Sequence, residues 1–279
     1  MRIDVMKTYK LFINGNFPRS ESGRVYKITD SKGKFLANPC LGSRKDLRES
    51  VVAARSAHKG WSGATAFNRG QVLYRVAEIM QGRADQFIAE IIAQEGATPA
   101  SAKAQVQNAI DTWVWYAGWC DKIGAISGSS NQVSGPFYNF SIPESLGVVA
   151  IFSDAKPSLL NLVASLAPVI ATGNTAILIA NEKAPLCAIT LAECLATSDV
   201  PAGVVNILTG KFDQFVTWAG SHMDIDGIDA TGVSNKDLIE LKELGSENLK
   251  RIYTFNELQS TKRMTNFMEI KTIWHPIGI

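Results

Sequence analysis

An excess of charge of either sign is missing from this sequence. Its 28 Lys and Arg face 26 Asp and Glu, for a net charge of +2. The charges are interspersed, with no basic block, so neither nucleic acid nor an anionic membrane is expected as a partner. Histidine is scarce, with three in 279 residues, and the four cysteines (Cys40, Cys120, Cys187, Cys194) form no CxxC pair. No metal site is therefore assigned. Isolated thiols of this kind read as small, buried apolar side chains. Long apolar runs are missing too. The longest, Ser158 to Thr172, follows Asp154 and Lys156 and falls short of the roughly 20 residues a membrane span needs. Nor does Met1-Arg-Ile-Asp-Val-Met-Lys7 have the apolar core of a signal peptide, so a cytoplasmic protein is expected.

What is present suits a globular chain: 46% hydrophobic and 19% charged residues, enough for a sizeable core. Leu11–Phe17 contains an Asn-Gly turn signal and reads as a hairpin, and Val25–Thr29 reads as a strand. Ser43-Arg-Lys-Asp46 resembles a capped helix start, followed by Leu47, Val51, Val52, Ala54 and Ser56 at helical spacing. Further helices are predicted over residues 69–83, 85–95 and 102–120, the last carrying Trp113, Trp115, Tyr116 and Trp119. With only Lys103 and Lys122 nearby, these aromatics read as core rather than as a stacking platform for bases. Residues 124–144 turn rich in Gly, Ser, Asn and Gln, a loop leading into an extended strand. From residue 146 onward, short apolar runs alternate with helical patterns. That alternation predicts an α/β fold with a doubly wound, mostly parallel sheet.

Several segments of this chain resemble the aldehyde dehydrogenase superfamily in order and spacing. They include Phe12-Ile-Asn-Gly15, Ala53-Ala-Arg-Ser-Ala-His-Lys-Gly-Trp61, Leu166-Ala-Pro-Val-Ile-Ala-Thr-Gly-Asn-Thr175 and Val200-Pro-Ala-Gly-Val-Val-Asn-Ile-Leu-Thr-Gly210. The resemblance implies a Rossmann-like NAD-binding domain over 1–123 and 146–260. A small β oligomerisation module would span 124–145 and 261–279. The segment Asn266–Trp274 resembles the family's terminal oligomerisation strand, and residues 256–279 contain no cysteine.

At the positions where the family keeps its chemistry, this sequence differs. An Asn that helps form the family's oxyanion hole is matched by Lys156, or by Ala155 after a one-residue shift; Lys156 could stabilise an anion or sit solvated at a strand end. The family's catalytic Glu is matched by Phe255, with Glu257 two residues on, and its nucleophilic Cys has no counterpart. Of the cofactor-contacting positions, Glu182 survives from the turn that holds the adenosine ribose. Gly210 survives from a Gly-rich segment in which Phe212 and Val216 replace glycines. Gly232 and Val233 match the turn whose following helix faces the pyrophosphate. No catalytic residue is assigned. The degenerate cofactor set is Glu182, Gly210, Gly232 and Val233, and the expectation is that no cofactor is bound. A small anion held by Lys156, Glu182 and the helix start at Val233 is a further possibility.

The expected function is then a non-catalytic, aldehyde-dehydrogenase-like oligomerisation, structural or regulatory subunit. Its partner would be a full-length aldehyde dehydrogenase or a second copy, joined through strands near 132–142 and 266–274. The alternative is an NAD(P)-dependent aldehyde oxidoreductase active only with a partner's catalytic domain.

Overall fold

Local capping sets where the helices begin. In the computed structural model, described over residues 6–278, α1 (Arg44–Gly63) starts at Ser43, whose hydroxyl accepts from the Asp46 amide while the Asp46 carboxylate accepts from the Ser43 amide. This reciprocal pair satisfies two amides that the helix cannot satisfy itself. The other helices of the N-terminal layer are α2 (Ala66–Gly82), capped by Thr65, α3 (Ala84–Glu95), and α4 (Pro99–Trp119), which has Pro99 in its first turn after the Thr98 cap. Trp113 and Tyr116 of α4 are fully buried, so the aromatic run is core, as its composition suggested.

Two short strands, β1 (Ile28–Thr29) and β2 (Phe35–Ala37), precede these helices and pair with each other. The predicted hairpin at 11–17 shrinks to a single bridge between Ile13 and Asn16. Phe12 instead exchanges both backbone hydrogen bonds with Ile207, at 2.9 and 2.7 Å. The N-terminal segment thereby satisfies an edge of the main sheet, which outweighs local hairpin pairing. Val52 also departs from its expected place: it is exposed, while Leu47, Val51 and Ala54 face the core.

A short helix α5 (Ile123–Ser127) and strands β3 (Ser129–Asn131) and β4 (Phe137–Ser145) lead into the α/β layer. That layer comprises β5 (Val148–Phe152), α6 (Ser158–Ala171), β6 (Thr175–Ala180), α7 (Leu186–Leu195), β7 (Val205–Thr209), α8 (Val216–Ser221), β8 (Gly227–Asp229), α9 (Asn235–Ser246) and β9 (Arg251–Tyr253). The five strands are parallel, in the order β7-β6-β5-β8-β9. Alternate side chains serve the two faces, as strand geometry requires. Val148, Ala150, Phe152, Ile177 and Ile179 pack with α1, α8 and α9. Val149, Ile151, Ala176 and Leu178 pack with α6, α7 and the N-terminal helices. Coverage on both sides explains why these strands are continuous apolar runs.

The chain continues through α10 (Lys262–Thr265) into β10 (Met268–Pro276). Strand β10 lies antiparallel to β4 along its whole length, from Met268 opposite Ser145 to Pro276 opposite Phe137. With β3 it forms a separate sheet, ordered β10-β4-β3. A chain of side-chain hydrogen bonds crosses this sheet from Asn131 through Ser141 to Thr272. His58 on α1 reaches Ser145 at 3.0 Å and ties its base to the main body. Aromatic and aliphatic side chains remain exposed on it, among them Tyr138, Ile142, Ile270 and Trp274. Among the described residues, no helix is long and apolar enough to cross a membrane.

Candidate cofactor site

In an open parallel sheet, ligands bind beyond the carboxyl ends of the strands, where the strand order reverses. Here β6 and β7 run to one side of β5 and β8 and β9 to the other, so the reversal lies between β5 and β8. Gly232 crosses that point. Its amide donates to the Phe152 carbonyl at 2.9 Å, and a Cβ there would lie 2.5 Å from the Ser153 carbonyl. Only glycine allows this approach. Beside it, Phe212 meets Phe152 edge-on at 5.2 Å and packs with Val233 against the same core. Val233 donates its amide to the Ala230 carbonyl at 3.3 Å within the turn, and α9 itself begins two residues later, capped by Ser234 with Asp237 in its first turn.

Gly210 has a structural duty as well. Its φ is +148°, and a Cβ would lie 3.1 Å from both the Gly42 amide nitrogen and the Phe215 ring. Val216, at the other altered glycine position, is buried in the core. Lys156 is exposed and donates to the Glu95 carbonyl at 2.9 Å, at the carbonyl-rich end of α3 where a cation is favoured. Lys156, Glu182 and Val233 therefore do not assemble a single anion site.

Glu182, just past β6, remains available. Its half-buried carboxylate lines a cleft of about 350 Å³ together with Tyr26, Lys27, Ile28, Thr29, Lys183 and Lys211. Among the described residues, it takes part in no ion pair. Tyr26 Oη is buried without a hydrogen-bond partner, although it lies beside the Gly210 backbone; burial first and the Glu182 carboxylate second push its phenol pKa up. An open carboxylate accepts from two hydroxyls at once, which suits a ribose diol. The cleft thus fits the adenosine end of a dinucleotide.

The ends of β8 and β9 have a different character. Asp229 and Arg263 form a salt bridge of 3.1 Å with both side chains almost completely buried. Burial raises the Asp229 pKa, opposed by Arg263 and by Thr231; Thr231 donates to Asp229 at 3.0 Å from its amide and 2.5 Å from its hydroxyl. Phe255, at the position of the family's base, covers the Arg263 guanidinium at 4.6 Å and packs near Phe267. Glu257 is exposed and contributes its backbone carbonyl to Arg263 Nε at 2.7 Å. All four cysteines are buried. Burial pushes the Cys120 and Cys194 thiols up to about 12, and Cys187 also well above its usual value. Burial thus disfavours the thiolate, the nucleophilic form, at Cys120, Cys187 and Cys194.

The sequence profile of the Aldehyde dehydrogenase family matches residues 17–254. The chain belongs to this family. Mouse mitochondrial 10-formyltetrahydrofolate dehydrogenase is 30% identical over 250 residues, covering 88% of this chain and 27% of the relative. Human retinal dehydrogenase 2 is 30% identical over 253 residues, covering 88% of this chain and 48% of the relative. The chain thus spans between about a quarter and half of the length of such relatives. A point mutant of Staphylococcus aureus betaine aldehyde dehydrogenase, solved in complex with NAD+, superposes with a TM-score of 0.83 at 21% identity, covering 88% of this chain and 49% of that one. A Bacillus cereus aldehyde dehydrogenase mutant gives 0.83 at 23% identity, covering 88% and 50%. These likenesses bear out the α/β fold. They overturn the expectation that no cofactor is bound, because the aldehyde dehydrogenase scaffold found here is one solved with NAD+ in place. The expectation weighted the altered glycines too heavily. In the structure Gly210 and Gly232 are required by backbone crowding within the fold, so the glycine pattern is a poor gauge of cofactor binding.

Proposed function

We propose that this chain is a subunit of the aldehyde dehydrogenase family that holds an NAD(P) dinucleotide at the ends of β6 and β7 but supplies neither thiolate nor general base. Its role is assembly with, and regulation of, a full-length aldehyde dehydrogenase that carries its own catalytic thiol. One observation carries the reading: the family's base position is Phe255, sealed over the buried Arg263–Asp229 pair. A carboxylate able to take a proton from a thiol or water is replaced there by an aromatic face on a permanently charged guanidinium. Cys120, Cys187 and Cys194, held protonated by burial, support the same reading. Free buried thiols also fit a reducing compartment such as the cytoplasm.

Glu182 would hold the ribose, with Tyr26 beside it, and a bound NAD(P)+ supplies a hydride acceptor. Strand β10 is the edge of its sheet, and a sheet edge flanked by exposed Ile270 and Trp274 offers both backbone hydrogen bonds and apolar surface to another subunit. The test is a pair of measurements on the purified chain. Assayed alone with aldehydes and NAD(P)+, it should form no NAD(P)H. In native mass spectrometry it should form a mixed complex with a full-length aldehyde dehydrogenase from its own cell. Turnover by the chain alone removes the non-catalytic assignment. A homo-oligomer or a monomer that ignores the dehydrogenase removes the assigned partner.

A second reading is favoured by the open Glu182 carboxylate: the bound dinucleotide serves a partner's catalytic domain, making an oxidoreductase only in the complex. Mixing experiments separate the two. That reading requires the complex to oxidise aldehyde faster than the partner alone, and it requires Glu182→Gln to abolish the gain.

A further inference from the structure

The cleft beyond β6 and β7 carries more positive charge than an unmodified ribose calls for. Lys27, Lys183 and Lys211 line it, against the one carboxylate of Glu182. Some exposed lysines elsewhere on the surface stand beside carboxylates, such as Lys122 with Asp121 and Lys271 with Glu144, both at 3.1 Å. Among the described residues, no such ion pair neutralises Lys27, Lys183 or Lys211. They come from three separate segments, ahead of β1, after β6 and after β7, and the fold brings them to one rim. Tyr26 Oη, buried and without a partner, adds a hydroxyl donor beside Glu182.

We infer that the dinucleotide this cleft selects is phosphorylated on its adenosine ribose, NADP in preference to NAD. The inference rests on the reading of the cleft as a dinucleotide site and specifies which dinucleotide it takes. A phosphate monoester carries about −1.5 to −2 charges at pH 7 and three acceptor oxygens. Three ammoniums can balance that charge and still leave one for Glu182. The carboxylate keeps the remaining ribose hydroxyl, and the lysines outnumber the repulsion it exerts on the phosphate. An NAD-selecting site requires the reverse balance, with a carboxylate left uncompensated to accept from both hydroxyls.

Calorimetric titration of the full chain with NADP+ and NAD+ at low ionic strength tests this. NADP+ should bind about tenfold or more tightly than NAD+, since charge-assisted contacts to phosphate are the stronger kind, and the margin should shrink as salt is added. Lys27→Gln and Lys211→Gln should each narrow the ratio of the two affinities, with circular dichroism checking that the fold is kept. Adenosine 2′,5′-bisphosphate should compete better than the 3′,5′ isomer. Equal or tighter binding of NAD+ overturns the preference and leaves the dinucleotide site standing. Binding of neither overturns both. Equal competition by the two isomers, or an unchanged ratio in both lysine variants, also overturns the preference, since the lysines would then act only as a general anion surface.

Discussion

The two ends of the parallel sheet's carboxyl edge handle charge in opposite ways. At β8 and β9, Asp229 and Arg263 are buried, paired and roofed by Phe255. At β6 and β7, Glu182, Lys183 and Lys211 face an open cleft. Buried charges must be matched because desolvation costs several kcal/mol per ion, so the first end is committed to the fold. Charges left at a cleft rim cost the fold little and remain available to a ligand. This contrast separates structural residues from binding residues better than matching positions one by one.

Breaking the closed end should have the largest effect. Arg263→Met leaves Asp229 buried without its partner and should lower unfolding free energy by about 3–5 kcal/mol, read from urea denaturation. The double variant Asp229→Asn with Arg263→Met should recover part of that loss. Substituting Phe255→Glu should also destabilise, and it should produce no aldehyde oxidation by the chain alone, because the cysteines are buried away from that position. At the open end, Glu182→Gln should weaken dinucleotide binding by roughly tenfold or more, as expected for a lost hydrogen bond to a charged group. Its unfolding free energy from urea denaturation should stay within about 0.5 kcal/mol of wild type, as for most surface changes; a larger loss would mean that Glu182 belongs to the fold.

The smallest expected effect concerns Lys250, just ahead of β9. Burial first, together with nearby Arg55, lowers its pKa to about 8, against the pull of Asp226. It donates to the His222 carbonyl at 2.8 Å and to that of Ile225. Because its folded pKa lies below its unfolded value of 10.5, the folded state disfavours the charged form. Its contribution to stability is therefore present above the unfolded pKa and lost as pH falls through about 8. Comparing wild type with Lys250→Met at pH 7 and pH 10 should show wild type gaining at the higher pH. The gain should be under about 1 kcal/mol, since the side chain is partly solvated and screened.

Much of this architecture was legible before any coordinates. The Ser43/Asp46 capping pair is a local signal, and the apolar runs of β5, β6 and β7 predicted a covered parallel sheet; α4, by contrast, begins at Pro99 behind the Thr98 cap, three residues ahead of the expected 102. The boundaries of the N-terminal strands were not legible, because Phe12 finds its partner in Ile207, far along the chain. At the candidate site, Glu182 could be picked out, whereas Tyr26 and Lys27 could not, being remote in sequence from Glu182. Lys183 and Lys211 did have a signal: each adjoins a residue already singled out. Arg263 had none, since nothing local marks a lysine- and arginine-containing turn as a buried ion-pair partner.

By itself, the sequence determined the order of elements, the apolar strands and the family, since caps, periodicity and short motifs act over a few residues. Tertiary structure alone decided which charges are spent and which are available. Burial and pairing depend on segments distant in sequence meeting across the sheet. Only that meeting closes Asp229 on Arg263 and leaves Glu182 among three lysines.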